Sequence, residues 1–100
     1  GFYGAPTVIT IFGPKNFLYS IPDAYCAAEN MVIEATALGI SSCILARGEE
    51  TFSNPEGEKI LCEWNIPDTM IACCFVILGY ADGDYPMSKP RKEGRYMIVK

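Results

Sequence analysis

The chain has 100 residues, half of them apolar and a fifth charged, with a net charge of −4, five cysteines and no histidine. That length holds at most one domain, and the composition is that of an ordinary globular chain, not a disordered one. Residues 1–88 carry 3 basic and 11 acidic side chains, whereas Lys89, Arg91, Lys92, Arg95 and Lys100 face only Glu93; this balance argues against nucleic acid, which asks for a broad basic surface with interleaved aromatics, and suits a single small anion.

In chain order, Thr7-Val8-Ile9-Thr10-Ile11-Phe12 is β-branched and aromatic and lies between Pro6 and Gly13-Pro14, the pattern of a buried strand. A helix follows over Asp23–Gly39. Ala24, Ala27, Ala28, Met31, Ala35 and Leu38 recur at three- and four-residue spacings, and Gly39 supplies the stop. Ser20 and Asp23 compete to cap its start, with Pro22 between them. Val32, Ile33 and Cys26 widen its apolar face, which predicts a central helix buried on most sides. Asp23, Asn30 and Glu34, with Glu29 to one side, form a polar sector that reads as a solvated face.

Ser41–Leu45 reads as a second short strand that runs out into Ala46-Arg47-Gly48. Ser53 and Glu56 with Pro55 between them form a capping box, opening a helix to about Trp64 whose inward face is Ile60, Leu61 and Trp64. Met70–Leu78 is a continuous apolar run of strand length, as expected of a strand covered on both faces. Helical connections between the strands predict parallel or mixed pairing in an α/β arrangement. Asp82–Gly94 reads as an extended surface loop, and Tyr96-Met97-Ile98-Val99 as a terminal β-prone segment able to pair with another subunit.

Cys26, Cys43, Cys62, Cys73 and Cys74 are odd in number and form no C-x-x-C pair, so reduced, mostly buried thiols are expected and a zinc site is not. The run Met70–Gly79 falls short of the roughly 20 residues of a spanning helix, and no basic segment precedes an apolar one at the start. Neither a membrane-spanning nor a secreted protein is expected, which leaves the cytoplasm.

The Ala5-Pro6 opening of the first strand, Glu29-Asn30-Met31 within the helix, Gly39-Ile40-Ser41-Ser42-Cys43 running into Ile44–Gly48, Leu78-Gly79-Tyr80 and Lys89-Pro90-Arg91 stand in an order and spacing that resemble the C-terminal half of the FMN-dependent nitroreductase family. The resemblance implies an α+β-like nitroreductase fold, with a mixed sheet and a buried central helix, as a partial domain spanning 1–100. Family proteins are about twice this length, and the chain begins at Gly1 with no methionine, so a fragment is expected. By the same resemblance the activity is that of an NAD(P)H oxidoreductase passing hydride through FMN, by a ping-pong route, to a nitroaromatic, quinone or similar acceptor, in a homodimer with the flavin at the subunit interface.

Flavin chemistry asks no nucleophile or general base of the protein, so the lack of histidine is no objection. Lys89 and Arg91 align with the family's phosphate-binding pair, and Ala46, Arg47 and Gly48 with the backbone set against the flavin ring, where Gly48 has no side chain to obstruct the approach. Arg47 departs from the small or acidic residue of the family pattern. A cation there would stabilise an anionic reduced flavin or attract an anionic substrate. Tyr80 and Tyr85 either pack on substrate or close the core. The alternative to an enzyme is a non-catalytic half-domain or interaction module that binds no flavin by itself.

Overall fold

The computed structural model describes residues 1–100 as three strands and three helices: β1 (Thr7–Pro14), α1 (Ser20–Ala37), β2 (Ser41–Leu45), α2 (Gly48–Phe52), α3 (Pro55–Glu63) and β3 (Met70–Gly79). The strands form one sheet in the order β1-β3-β2, and both pairings are antiparallel. The parallel or mixed pairing expected of helical connections is therefore corrected. The physical reason is that α1 does return the chain so that β2 runs parallel to β1, but β3 lies between the two, and the connection through α2 and α3 brings it in from the end at which β2 finishes, antiparallel to both. α2, which the sequence pattern did not reveal, is a five-residue turn of helix inside one of these connections.

β3 is central and its Ala72–Ile77 segment is buried, as expected of a strand covered on both faces. Its pairing with β1 slips by one residue between Ile11 and Phe12, so that Ile11 faces Cys74 and Phe12 faces Ala72. Cys73 is thus the extra residue of a β-bulge. Cys73 and Cys74 consequently both pack towards α1, together with Val76, while Ala72 and Phe75 pack on the other side with Phe52. The strand's alternation serves two cores, and the bulge shifts the phase so that Phe75 falls on the side of Ala72.

α1 approaches the sheet through Ala24 and Ala28, whose short side chains allow close contact with Cys73, Cys74 and Val76. It is covered along this stripe only; Ile21, Ile33 and Leu38 are exposed, so the expectation of burial on most sides is not met within this chain. Its start is held by Ser20, whose Oγ donates to the Pro14 carbonyl at 2.7 Å, while neither Ser20 nor Asp23 is the cap. Its end matches the reading of Gly39 as a stop: Gly39 is left-handed (φ 72°), and Ile40 N–H donates to Ala35 O at 2.8 Å.

α3 is capped by Asn54, whose Oδ1 accepts from the Gly57 N–H at 2.9 Å, and not by Ser53 as expected. Leu61 packs on the core; Ile60 and Trp64 are partly open, although Trp64 meets Phe52 edge-on with ring centroids 6.0 Å apart. Beyond Gly79 there is no helix or strand, so Tyr96–Val99 forms no strand, and residues 80–100 are exposed throughout. This arm explains why the radius of gyration is 16.6 Å, against about 13 Å for a compact chain of this length.

Candidate functional site

A cleft lies where β2 runs out into α2. Leu45 ends the strand beside Phe75 of β3, Arg47 turns the chain in a left-handed conformation (φ 66°, ψ 33°), and α2 begins at once with Gly48. The turn is fixed by its own carbonyl: Arg47 O accepts from Thr51 N at 3.3 Å and from Thr51 Oγ1 at 3.1 Å. Across the opening, Phe2 stands edge-on to Phe75 with centroids 4.9 Å apart. The resulting cleft has a volume of about 680 Å³ and is lined by Phe2, Tyr3, Leu45, Ala46, Arg47, Glu50, Thr51 and Phe75 among others. That size lies in the range of roughly 300–1,000 Å³ typical of small-molecule and cofactor sites.

The walls fall into two kinds. Phe2, Tyr3, Leu45 and Phe75 form an apolar, largely aromatic side suited to a flat ring system. Arg47, Glu50 and Thr51 form a polar rim, where Arg47 Nε lies 3.7 Å from Glu50 Oε2 with both side chains largely exposed. Burial pushes the Cys73 thiol up, and the nearby Glu49 carboxylate pushes in the same direction, while a backbone hydrogen bond at Gly13 lowers it. Burial likewise raises Cys74, with Cys73 adding to the effect. Both are held as neutral thiols behind the sheet and do not line the cleft.

Of the five residues singled out in the sequence, Ala46 and Arg47 line the cleft and are exposed. Gly48 is buried next to them, and a Cβ built on it would collide with the carbonyl of Ala72, so the need for glycine here comes from packing of α2 on β3. Lys89 and Arg91 lie on the exposed arm and do not line this cleft. The arm leaves the sheet at Gly79, which pairs with Ser41, at the end of β2 away from Arg47. Tyr85 reaches back only as far as Ser41, with its hydroxyl 3.5 Å from Ser41 Oγ. Sequence reasoning missed Phe2, Tyr3 and Phe75 as cleft residues. Phe75 sat within an unbroken apolar run whose facing depends on the bulge, and Phe2 and Tyr3 lie outside any periodic element. No group of three or more cysteine, aspartate or glutamate side chains is placed to hold a metal ion, and no helix is long and apolar enough to cross a membrane.

The chain is similar in sequence and fold to a known family. The nitroreductase family model matches residues 1–80. A nitroreductase from Bacteroides fragilis with bound FMN superposes with a TM-score of 0.87 at 33% identity, over 99% of this chain and 54% of its own. An FMN-dependent nitroreductase from Clostridium difficile gives 0.67 at 26% identity, over 85% and 51%. A nitroreductase with bound FMN from Desulfitobacterium hafniense gives 0.79 at 24% identity, over 98% and 53%, and speaks for the fold alone. The chain spans about half the length of these solved structures. No curated protein sequence matches it.

Proposed function

The chain belongs to the nitroreductase family, and on that premise we propose that it forms the C-terminal half of an FMN-dependent NAD(P)H oxidoreductase acting on nitroaromatics, quinones or similar small acceptors. The observation that carries this reading is the cleft at the β2–α2 turn, whose aromatic side offers a flat apolar wall and which Ala46 and Arg47 line at the strand exit. These walls fit the ring system of FMN. They do not supply a grip on its phosphate, because Arg47 is the only cationic side chain among the lining residues.

Bound FMN would supply the hydride relay between the nicotinamide and the acceptor. For a nitro acceptor, NAD(P)H and one proton reduce the nitro group to a nitroso group, releasing NAD(P)⁺ and water. The chain's own part is to hold and to exclude. Phe2, backed by Phe75, keeps water from one side of the ring, and Ala46, Arg47 and Gly48 set the main chain against its edge. Lys89 and Arg91 hold the phosphate by charge-assisted hydrogen bonds. The departure of the arm from the far end of the sheet supports the reading that those two cations serve the cleft of a second copy in a homodimer. The cytoplasm, where NAD(P)H is abundant, is the compartment this chemistry implies.

A non-catalytic half-domain is the second reading, favoured by the free outer edges of β1 and β2 on either side of β3, which are open to further strand pairing. Visible absorption and intact mass of the purified chain, with and without added FMN, separate the two. A flavin band co-eluting with a dimer, followed by FMN-dependent NAD(P)H oxidation, supports the enzyme; a colourless chain after FMN addition refutes a self-sufficient cofactor site.

A further inference from the structure

Four residues other than glycine have left-handed backbones: Tyr3 (φ 54°), Asn16 (φ 55°), Arg47 (φ 66°) and Asn65 (φ 55°). Asparagine tolerates this region through its short polar side chain, whereas tyrosine and arginine have no such excuse. Tyr3 and Arg47 line the same cleft, Tyr3 85% exposed and the Arg47 side chain 80% exposed. Unfavourable backbone retained by two long side chains at one cleft is where strain accompanies function.

The electrostatics narrow the ligand. Glu50 is the single carboxylate lining the cleft, since Glu49 acts on Cys73 behind α2. The Arg47–Glu50 pair is long and exposed, so it holds the guanidinium only weakly. A carboxylate entering the cleft competes for the same planar fork with better, two-point geometry. An exposed tyrosine ring on the same cleft offers a surface on which a flat ring stacks.

We propose that Tyr3 and Arg47 select the electron acceptor, favouring a planar aromatic compound that carries a carboxylate, with its ring against Tyr3 and its carboxylate on the Arg47 guanidinium in place of Glu50. The inference rests on the reading of the cleft as the reductase site, and concerns the face left open to the acceptor.

The test is calorimetric titration of the purified chain with benzoate and with benzyl alcohol, a neutral counterpart of similar shape, alongside the flavin absorption of the same samples. Benzoate is expected to bind about tenfold more tightly, and Arg47→Ala to bring the ratio to about one. Glu50→Gln, which removes no buried contact, is expected to raise benzoate affinity by up to about fivefold and leave benzyl alcohol unchanged. Tyr3→Ala weakens both ligands. Equal affinity of the two ligands, no binding of either, or discrimination that survives Arg47→Ala overturns the proposal. A flavin-free chain that still discriminates supports this site while refuting a self-sufficient cofactor site, and a flavin-loaded chain that does not discriminate overturns this inference alone.

Discussion

Gly48 and Ala72 approach so closely that a Cβ on the glycine would stand 2.8 Å from the Ala72 carbonyl carbon. The contact presses the start of α2 onto the central strand, and so sets the height of the Ala46–Arg47 turn above Phe75. Gly48→Ala must push α2 away from β3. The expected loss is about 1–3 kcal/mol of stability, typical of overpacking, read from urea unfolding, together with weaker FMN binding because the turn moves with the helix. A variant of unchanged stability would show that α2 slides freely on β3.

Arg47 carries its strain in the backbone and its chemistry in the side chain, and the two separate by substitution. Arg47→Gly relieves the left-handed conformation and removes an ion pair of little worth. Its stability is expected within about 1 kcal/mol of the parent, on the favourable side. Thermal unfolding measures this. A large loss would mean that the guanidinium holds the fold together, and would undercut its role in acceptor choice.

Much of this architecture is legible in the sequence because the signals are local. Gly39 ends α1 through hydrogen bonds to its own last turn, the β-branched run of β1 lies between Pro6 and Gly13-Pro14, and β3 reads directly as an apolar run. Strand direction is not local. It depends on where two connections deliver the chain, which composition does not encode, and the antiparallel sheet was missed for that reason. The cleft is intermediate: Ala46 and Arg47 follow from the strand exit, whereas Phe75 enters only because the bulge at Cys73 turns it to that side. Lys89 and Arg91 are legible as cations, but no pattern places them at a cleft, and they lie on the exposed arm.

Phe75 is 1% exposed and touches both Phe2 and Phe52, with centroids at 4.9 and 6.0 Å. Phe75→Ala empties the core beneath the cleft and is expected to cost about 3–5 kcal/mol. Phe75→Leu retains most of the volume, so it is expected to keep the fold and weaken FMN binding by loss of the ring that supports Phe2 edge-on. Denaturant unfolding of both, with flavin titration of the leucine variant, checks the pair. Equal FMN affinity in Phe75→Leu and the parent would remove Phe75 from the cofactor wall.

The raised thiols of Cys73 and Cys74 make the fold sensitive to alkali. Each deprotonates more readily in the unfolded chain than in the folded one. Their contribution is therefore complete below the ordinary thiol value of 9.0 and declines as pH rises from there towards the raised folded values. Unfolding midpoints are expected to hold steady up to about pH 8.5 and to fall beyond about 9. In the folded protein at pH 8, Cys26, Cys43 and Cys62, all exposed, should alkylate while Cys73 and Cys74 do not. Five modified thiols by mass spectrometry under native conditions would contradict the burial of the central strand.

Lys89 and Arg91 sit on an arm with no buried residue and no helix or strand, so removing their charges should leave the fold untouched. The double variant Lys89→Ala, Arg91→Ala is expected to unfold within about 0.5 kcal/mol of the parent, as exposed substitutions do. If the pair holds the FMN phosphate, each charged hydrogen bond is worth about 1.5–3 kcal/mol, and FMN affinity should fall at least tenfold. Riboflavin, which lacks the phosphate, separates this effect from damage to the ring site: its affinity should be the same for variant and parent. An equal loss for both ligands would instead place the arm against the ring, and an unchanged FMN affinity would leave the arm without a role in the cofactor site.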